Sequence, residues 1–394
     1  MSVAQSTGLA PLRLAAIVLF AAIVPAVLMT APAVATQYAL QLGLNPARIG
    51  QLLSAELAVM SLATLPAYYW QRRCDWRRVA QAAAVLFIVT NLASAWTADY
   101  GLLMSLRILS ALGGGTLMVV CIASAASSRQ PERVYGLWVS GQLILGAVGL
   151  WLLPPLFASY GLRALYLGLA ALMLACLPLA TALPPRAQPP APRPGQQPVA
   201  RSRLVGVCAL LAVLLFYVGL SAVWTFIGSI ASAAAIDPTS SGRILSVATL
   251  LGIAGSLCAT FIGARWPRPL LLVAGYGLMA LAVALLLGLP DLARFAVAAL
   301  LFKYTWTFAL PFILACVADM DPQGRLMNSV NLVIGGGLAL GPVLAGPLLE
   351  SSLGMNAVLL GSIACLALSL SVLLAVRAGA PSPSSVTAPS GARP

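Results

Sequence analysis

Three ionisable residues stand where the chain is otherwise too apolar to tolerate them: Glu56, Arg107 and Lys303. A charge near the centre of a membrane-spanning helix costs about 2.5–3.5 kcal/mol on the insertion scale, so such groups face a water-filled space or one another. Their distance from flanking loop charges sets their depth. Glu56 follows Arg48 by eight residues, and Arg107 follows Asp99 by eight. At a rise of ~1.5 Å per residue, both lie about 12 Å into a ~30 Å hydrocarbon core. Lys303, nine residues past Arg294, reaches a similar level. One carboxylate and two cations at a common depth could bind a polar solute and carry a proton. Burial disfavours the carboxylate's charge, a neighbouring guanidinium favours it, and altered water access tips that balance. The alternative is that each charge snorkels or closes a stabilising pair.

The surrounding composition says what positions them. Hydrophobic residues make up 61% and charged residues 8% of the 394 residues, and the mean hydropathy is +0.97. A soluble domain carries about 25% charged residues. Twelve apolar runs are long enough to span a bilayer, near 12–36, 47–70, 79–97, 100–126, 134–157, 164–182, 204–235, 243–264, 269–289, 294–317, 328–349 and 355–376. The expected fold is an all-α polytopic membrane protein with twelve transmembrane helices in two pseudo-symmetric six-helix bundles.

The net charge of +13 sets orientation and does not point to nucleic acid. With the N-terminus in the cytoplasm, sixteen basic residues fall on that side and only Arg48, Arg163, Arg243 and Arg294 fall outside, as the positive-inside rule requires. Both termini are therefore expected in the cytoplasm. Arg13, an apolar stretch and Ala31-Pro32-Ala33-Val34-Ala35 resemble a cleaved secretory signal, but eleven later spans favour a retained first helix. The seven cysteines have no paired spacing and read as small apolar fillers. The chain contains no histidine, which removes His-based acid–base catalysis and the commonest metal ligand. No acidic cluster or nucleotide motif is present either, so neither an enzyme, a metal nor a cofactor is expected.

An internal repeat organises the spans. Asn45-Pro46-Ala47-Arg48-Ile49-Gly50 reads against Asp237-Pro238-Thr239-Ser240-Ser241-Gly242, and the same offset of 192 pairs Arg73 with Arg265, Asp99 with Asp291, Arg133 with Arg325 and Gly149 with Gly341. Glu56, Arg107 and Lys303 correspond to Ala248, Ala299 and Ala111, so the three charges occur once each, as functional rather than repeated structural residues would. The expected organisation is a first bundle over 1–182, a proline- and arginine-rich cytoplasmic linker over 183–203, a second bundle over 204–377 and a disordered tail over 378–394.

These features together resemble the major facilitator superfamily over essentially the whole chain. Local matches are Arg107-Ile108-Leu109-Ser110-Ala111-Leu112-Gly113-Gly114-Gly115 on span four, and Gly341-Pro342 with Gly346-Pro347 on span eleven. The loop Tyr69-Trp70-Gln71-Arg72-Arg73-Cys74-Asp75-Trp76-Arg77-Arg78 keeps the family's basic cluster without its glycines. The resemblance implies a secondary active transporter of a small organic solute, working by alternating access at a central cavity, in the inner (plasma) membrane and as a monomer. A non-transporting sensor or scaffold of the same fold is the other class. Import, export and the solute itself stay open.

Within that frame Glu56 and Arg107 are the proton-coupling candidates. Arg107 and Lys303, two cations against one carboxylate, favour an anionic or zwitterionic solute. The resemblance places spans one, four, seven and ten around the cavity, which adds Gln37 (with Thr30 seven residues earlier), Tyr217 and Trp224 (with Ser221 between them), Tyr304 and Trp306. Their aromatic rings could stack on a solute, although for each ring singly helix packing is the plainer role. The glycine runs 113–115 and 335–337 read as sites of close helix approach.

Overall fold

A chain in lipid must close its backbone hydrogen bonds within itself, and helices do so. The computed structural model describes residues 9–71, 73–128, 130–186, 203–263, 265–320 and 325–378, and no strand occurs among them. Span one comprises three pieces, Pro11–Ile23, Ala26–Met29 and Ala31–Leu42. Span two is Pro46–Leu62 continued by Thr64–Trp70, span three Trp76–Ser94, span four Tyr100–Ala126, span five Pro131–Tyr160, and span six Arg163–Cys176 with the tighter turn Leu177–Ala182. Spans seven to twelve are Arg203–Ala233, Pro238–Ile262, Arg268–Ala284, Leu292–Met320, Arg325–Glu350 and Gly354–Ala378. Nine helices among the described residues are long and apolar enough to cross a membrane by themselves. The other three spans have identifiable reasons for falling short. Span one is broken, span nine has 17 residues, and span three carries Arg77, Arg78 and Gln81 near its start and Thr90, Asn91 and Ser94 near its end.

The loop acids matched by the repeat are helix caps. Asp99 accepts from Leu102 N (2.8 Å) and Asp291 from Arg294 N (2.8 Å). Asn45 accepts from Arg48 N (3.0 Å) and Asp237 from Thr239 N (2.8 Å). Each satisfies an otherwise orphaned first-turn donor of the following span. Hydrogen bonds from Ser240, side chain and backbone, hold the exposed Asp237 carboxyl below the usual carboxylate range.

The repeat also recurs as contacts between spans. A Cβ on Gly50 would run into the carbonyl of Pro342, and a Cβ on Gly242 into the carbonyl of Leu150. Both partners differ by the same 192 positions, so spans two and eleven meet as spans eight and five do. Gly149 lies against Thr30, and Gly341 against Ser221 and Ala222, which repeats the contact within each bundle. Two apolar cores follow from this packing. One contains residues such as Ile17, Phe20, Phe87 and Leu165, the other Phe216, Met279, Phe295 and Phe302. Leu28, Met29, Ala31 and Leu57 of the first bundle pack into the second core. The glycine runs behave as expected, with Gly113 against span three and Gly337 against span seven.

Gly50→Val should therefore lower the thermal unfolding midpoint of the purified protein. Overpacking against a backbone costs about 1–3 kcal/mol. Gly277→Ala, where an added Cβ meets nothing, is the control and should leave the midpoint unchanged. A Gly50→Val protein that unfolds with the wild type would refute the span two–eleven contact.

Most of the expected linker lies outside the described residues, and so does the tail beyond Ala378. The described start of the linker is docked: Arg77 Nε donates to Leu183 O (2.7 Å) and Trp76 N to Pro185 O (3.0 Å).

Candidate functional site at the junction of the two bundles

Prolines shape the first part of the site. Pro25 and Pro32 have no N–H, so the carbonyls one turn back, Ala21 and Leu28, lose their helical donors. Side chains from other spans replace both. Gln142 Nε2 donates to Ala21 O (2.9 Å), and Trp224 Nε1 donates to Leu28 O (2.9 Å). The second bond joins the break in span one to span seven of the other bundle. Pro342 on span eleven repeats the pattern, with Ser221 donating to Leu338 O (3.0 Å). Unwound backbone at membrane depth survives only when its polar groups are met in this way.

Arg107 is fully enclosed, at 0% exposure. Its Nη1 donates to Asn91 Oδ1 (3.1 Å), and its Nη2 to Ser94 Oγ (2.8 Å) and Thr90 O (3.5 Å). Asn91 in turn donates to Ser110 Oγ (3.0 Å). The guanidinium lies over the Tyr166 ring at 4.6 Å, and Tyr166 shares a 2.6 Å hydrogen bond with Tyr38. Glu56 Oε1 stands 3.9 Å from Arg107 Nη1, too far for a direct hydrogen bond. Glu56 is itself 8% exposed, and its Oε2 has no hydrogen-bond partner.

Lys303 occupies a different environment. Its ammonium lies 3.6 Å from the centre of the Trp224 ring and 4.1 Å from that of Trp306. Phe302 stacks on Trp224, with centroids 6.3 Å apart. Ring faces are electron-rich, so a desolvated cation gains about 2 kcal/mol or more from such a position. The three buried charges thus divide into an ion pair inside the first bundle and an aromatic-caged lysine inside the second. Trp224 holds Lys303 with its ring and the break of span one with its N–H.

A family model, the Major Facilitator Superfamily, matches residues 14–324. The chain belongs to that superfamily. Its fold is also that of solved transporter structures at low identity. A D-xylose–proton symporter superposes with a TM-score of 0.71 at 13% identity, covering 93% of this chain and 95% of that one. A mutant of the nucleoside transporter NupG gives 0.68 at 12% identity, covering 93% and 99%. A bacterial homologue of the human lysosomal transporter Spinster, inward-facing and unoccupied, gives 0.64 at 15% identity, covering 93% and 96%.

On this superfamily scaffold the remaining candidates separate. Tyr217 is buried and packs edge-on against Phe216, and Trp224 and Trp306 form the lysine cage. Tyr304 turns away from Lys303. Its ring stacks on Phe308 at 5.9 Å, and its carbonyl meets Gly255 of span eight. Gln37 stands at the end of the bundles near Gly43, bonded to Gln41 (3.0 Å). There it lines a cavity of ≈ 160 Å³ with Thr36, Phe157, Ser232 and Ser241. Thr30 is the junction residue of the broken span and is buried against Gly149, so it shares no cavity face with Gln37. The sequence reading missed Asn91, Ser94, Ser110, Tyr38 and Tyr166. The polar set Thr90, Asn91 and Ser94, at positions i, i+1 and i+4 of one span, was the available signal.

Proposed function

We propose that this superfamily member is a proton-coupled secondary active transporter of a small organic solute, with the solute handled where the two bundles meet. The observation that carries this reading is the buried Glu56–Arg107 pair. A carboxylate this deep, 3.9 Å from its counter-ion and with one oxygen unbonded, is costly unless it is used. Its contact with Arg107 is loose enough for the proton and the guanidinium to alternate as partners.

Arg107 gives its Nη1 and Nη2 to span three while its Nε finds no partner, and fully enclosed as it is it acts on the solute through Glu56. Lys303 is left as the cation able to meet an anionic or zwitterionic solute, with Trp224, Trp306 and Tyr217 around it. Gln37 and Tyr304, on other faces, would serve entry and helix packing. We place both termini in the cytoplasm on the strength of the sixteen-to-four division of basic residues, and the protein in the inner membrane as a monomer by its likeness to the superfamily. The 183–203 linker then runs on the cytoplasmic side between bundles 1–182 and 204–377, and the tail 378–394 shares that side.

Reconstitution into proteoliposomes with an imposed pH gradient tests the reading. Across a panel of sugars, nucleosides, amino acids and organic acids, at least one solute should accumulate uphill, and a protonophore should abolish that accumulation. A folded protein that moves none of them would favour the sensor or scaffold class.

A further inference from the structure

Thr225 is an exception among the threonines inside the spans. Thr30, Thr36, Thr90, Thr116, Thr249 and Thr305 each donate their hydroxyl to a carbonyl one turn back on their own helix. Thr225 is 1% exposed and has no hydrogen bond with any described residue. It lines a cavity of ≈ 20 Å³ that Glu56 also lines, the rest of the wall being apolar residues such as Val24, Leu28, Leu53 and Leu57. Glu56 Oε2, the oxygen turned from Arg107, is likewise unbonded. Thr225 and Glu56, one from each bundle, therefore border one small pocket beside the break in span one.

A cavity holds a water when its volume exceeds about 10–15 Å³ and two to four polar groups can bond to it. This pocket meets both conditions. We infer that it is a binding site for a single water molecule, hydrogen-bonded to Glu56 Oε2 and to the Thr225 hydroxyl, and that Thr225 is a positioning residue for proton transfer at Glu56. The inference rests on the proposed coupling role of Glu56. Its chemistry balances without another reactant: a proton arriving on this water as hydronium passes to Oε2, an O–H bond breaks on the water and one forms on the carboxyl, and neutral water remains. Glu56 belongs to span two and Thr225 to span seven, so the site is complete only when the bundles meet here. The ionisable groups around Glu56 are Arg107 and, farther off, the hydroxyls of Tyr38 and Tyr166. Lys303 lies over the Trp224 ring, 3.6 Å from its centre.

Infrared difference spectra of the purified full-length protein, taken across a pH titration, test this. The C=O stretch of protonated Glu56 is identified by its loss in Glu56→Gln. Thr225→Val removes the hydroxyl at constant shape, and should move that band to higher wavenumber and shift the midpoint of the pH–transport profile. Thr225→Ser should restore both, a rescue that a merely structural role would not give. Thr225→Ala supplies the same readouts should the valine protein fail to fold. An unmoved band and midpoint in the hydroxyl-free proteins would overturn the water site. So would a structure that resolves other buried waters and shows none between Oε2 and the hydroxyl. The two readings fail separately. Uphill accumulation retained by Glu56→Gln removes the coupling role, whereas its loss beside an unmoved band in Thr225→Val removes the water site alone.

Discussion

Glu56→Gln should reduce solute accumulation to the equilibrium level while sparing solute binding and exchange. Gln has the shape of a protonated Glu and keeps the position beside Arg107, but it can neither release nor take up a proton. A carrier locked in its protonated form still reorients with solute bound, so counterflow persists while the coupled, uphill component is lost. The measurement pairs two assays in the same proteoliposomes: uptake driven by a pH gradient, and exchange of labelled for unlabelled solute without one. Uphill uptake at the wild-type rate with unchanged pH dependence would show that the proton is carried elsewhere.

Arg107→Ala should be the most destabilising single substitution in the first bundle. It strips Asn91 Oδ1 and Ser94 Oγ of their charged donor, empties the space over Tyr166 and leaves Glu56 as a buried carboxylate with no counter-ion. Breaking a buried pair from one side costs about 3–5 kcal/mol. Adding Glu56→Gln to the same protein should recover part of the loss, because the orphaned charge goes with it. Arg107→Lys keeps the charge without the planar fork and should fall between. Thermal unfolding in detergent reads all four proteins. An Arg107→Ala protein with the wild-type midpoint would mean that the enclosure seen around the guanidinium contributes nothing.

The twelve spans were legible because lipid leaves a chain so few options. Span boundaries moved mainly where a cap lay outside the apolar run, as at Asp237, which starts span eight at Pro238 rather than near residue 243. Equal depth placed Glu56 near Arg107, and the structure pairs them. The same reasoning set Lys303 beside them, but depth along a helix axis says nothing about azimuth, and Lys303 turns to two indoles of its own bundle instead. The partners of Arg107 were hidden for a related reason. Asn91 and Ser94 look like ordinary tolerated polar residues until span four is laid against span three. Likewise, Pro32 announces a break in span one, whereas the donor that repairs it, Trp224, lies 192 residues away.

The enclosure of Arg107 has a consequence for biogenesis. Span three falls short as an autonomous membrane helix, while span four is long and apolar enough to cross by itself. Asn91 and Ser94, which with Arg77, Arg78 and Gln81 weaken span three, are the groups that bond the guanidinium of span four. Each therefore carries what the other lacks, and leaving the translocon as a helical hairpin removes both penalties at once. An early ribosome-attached chain ending just after Ser94 should partition poorly into the bilayer, and one extended through span four should anchor both helices together.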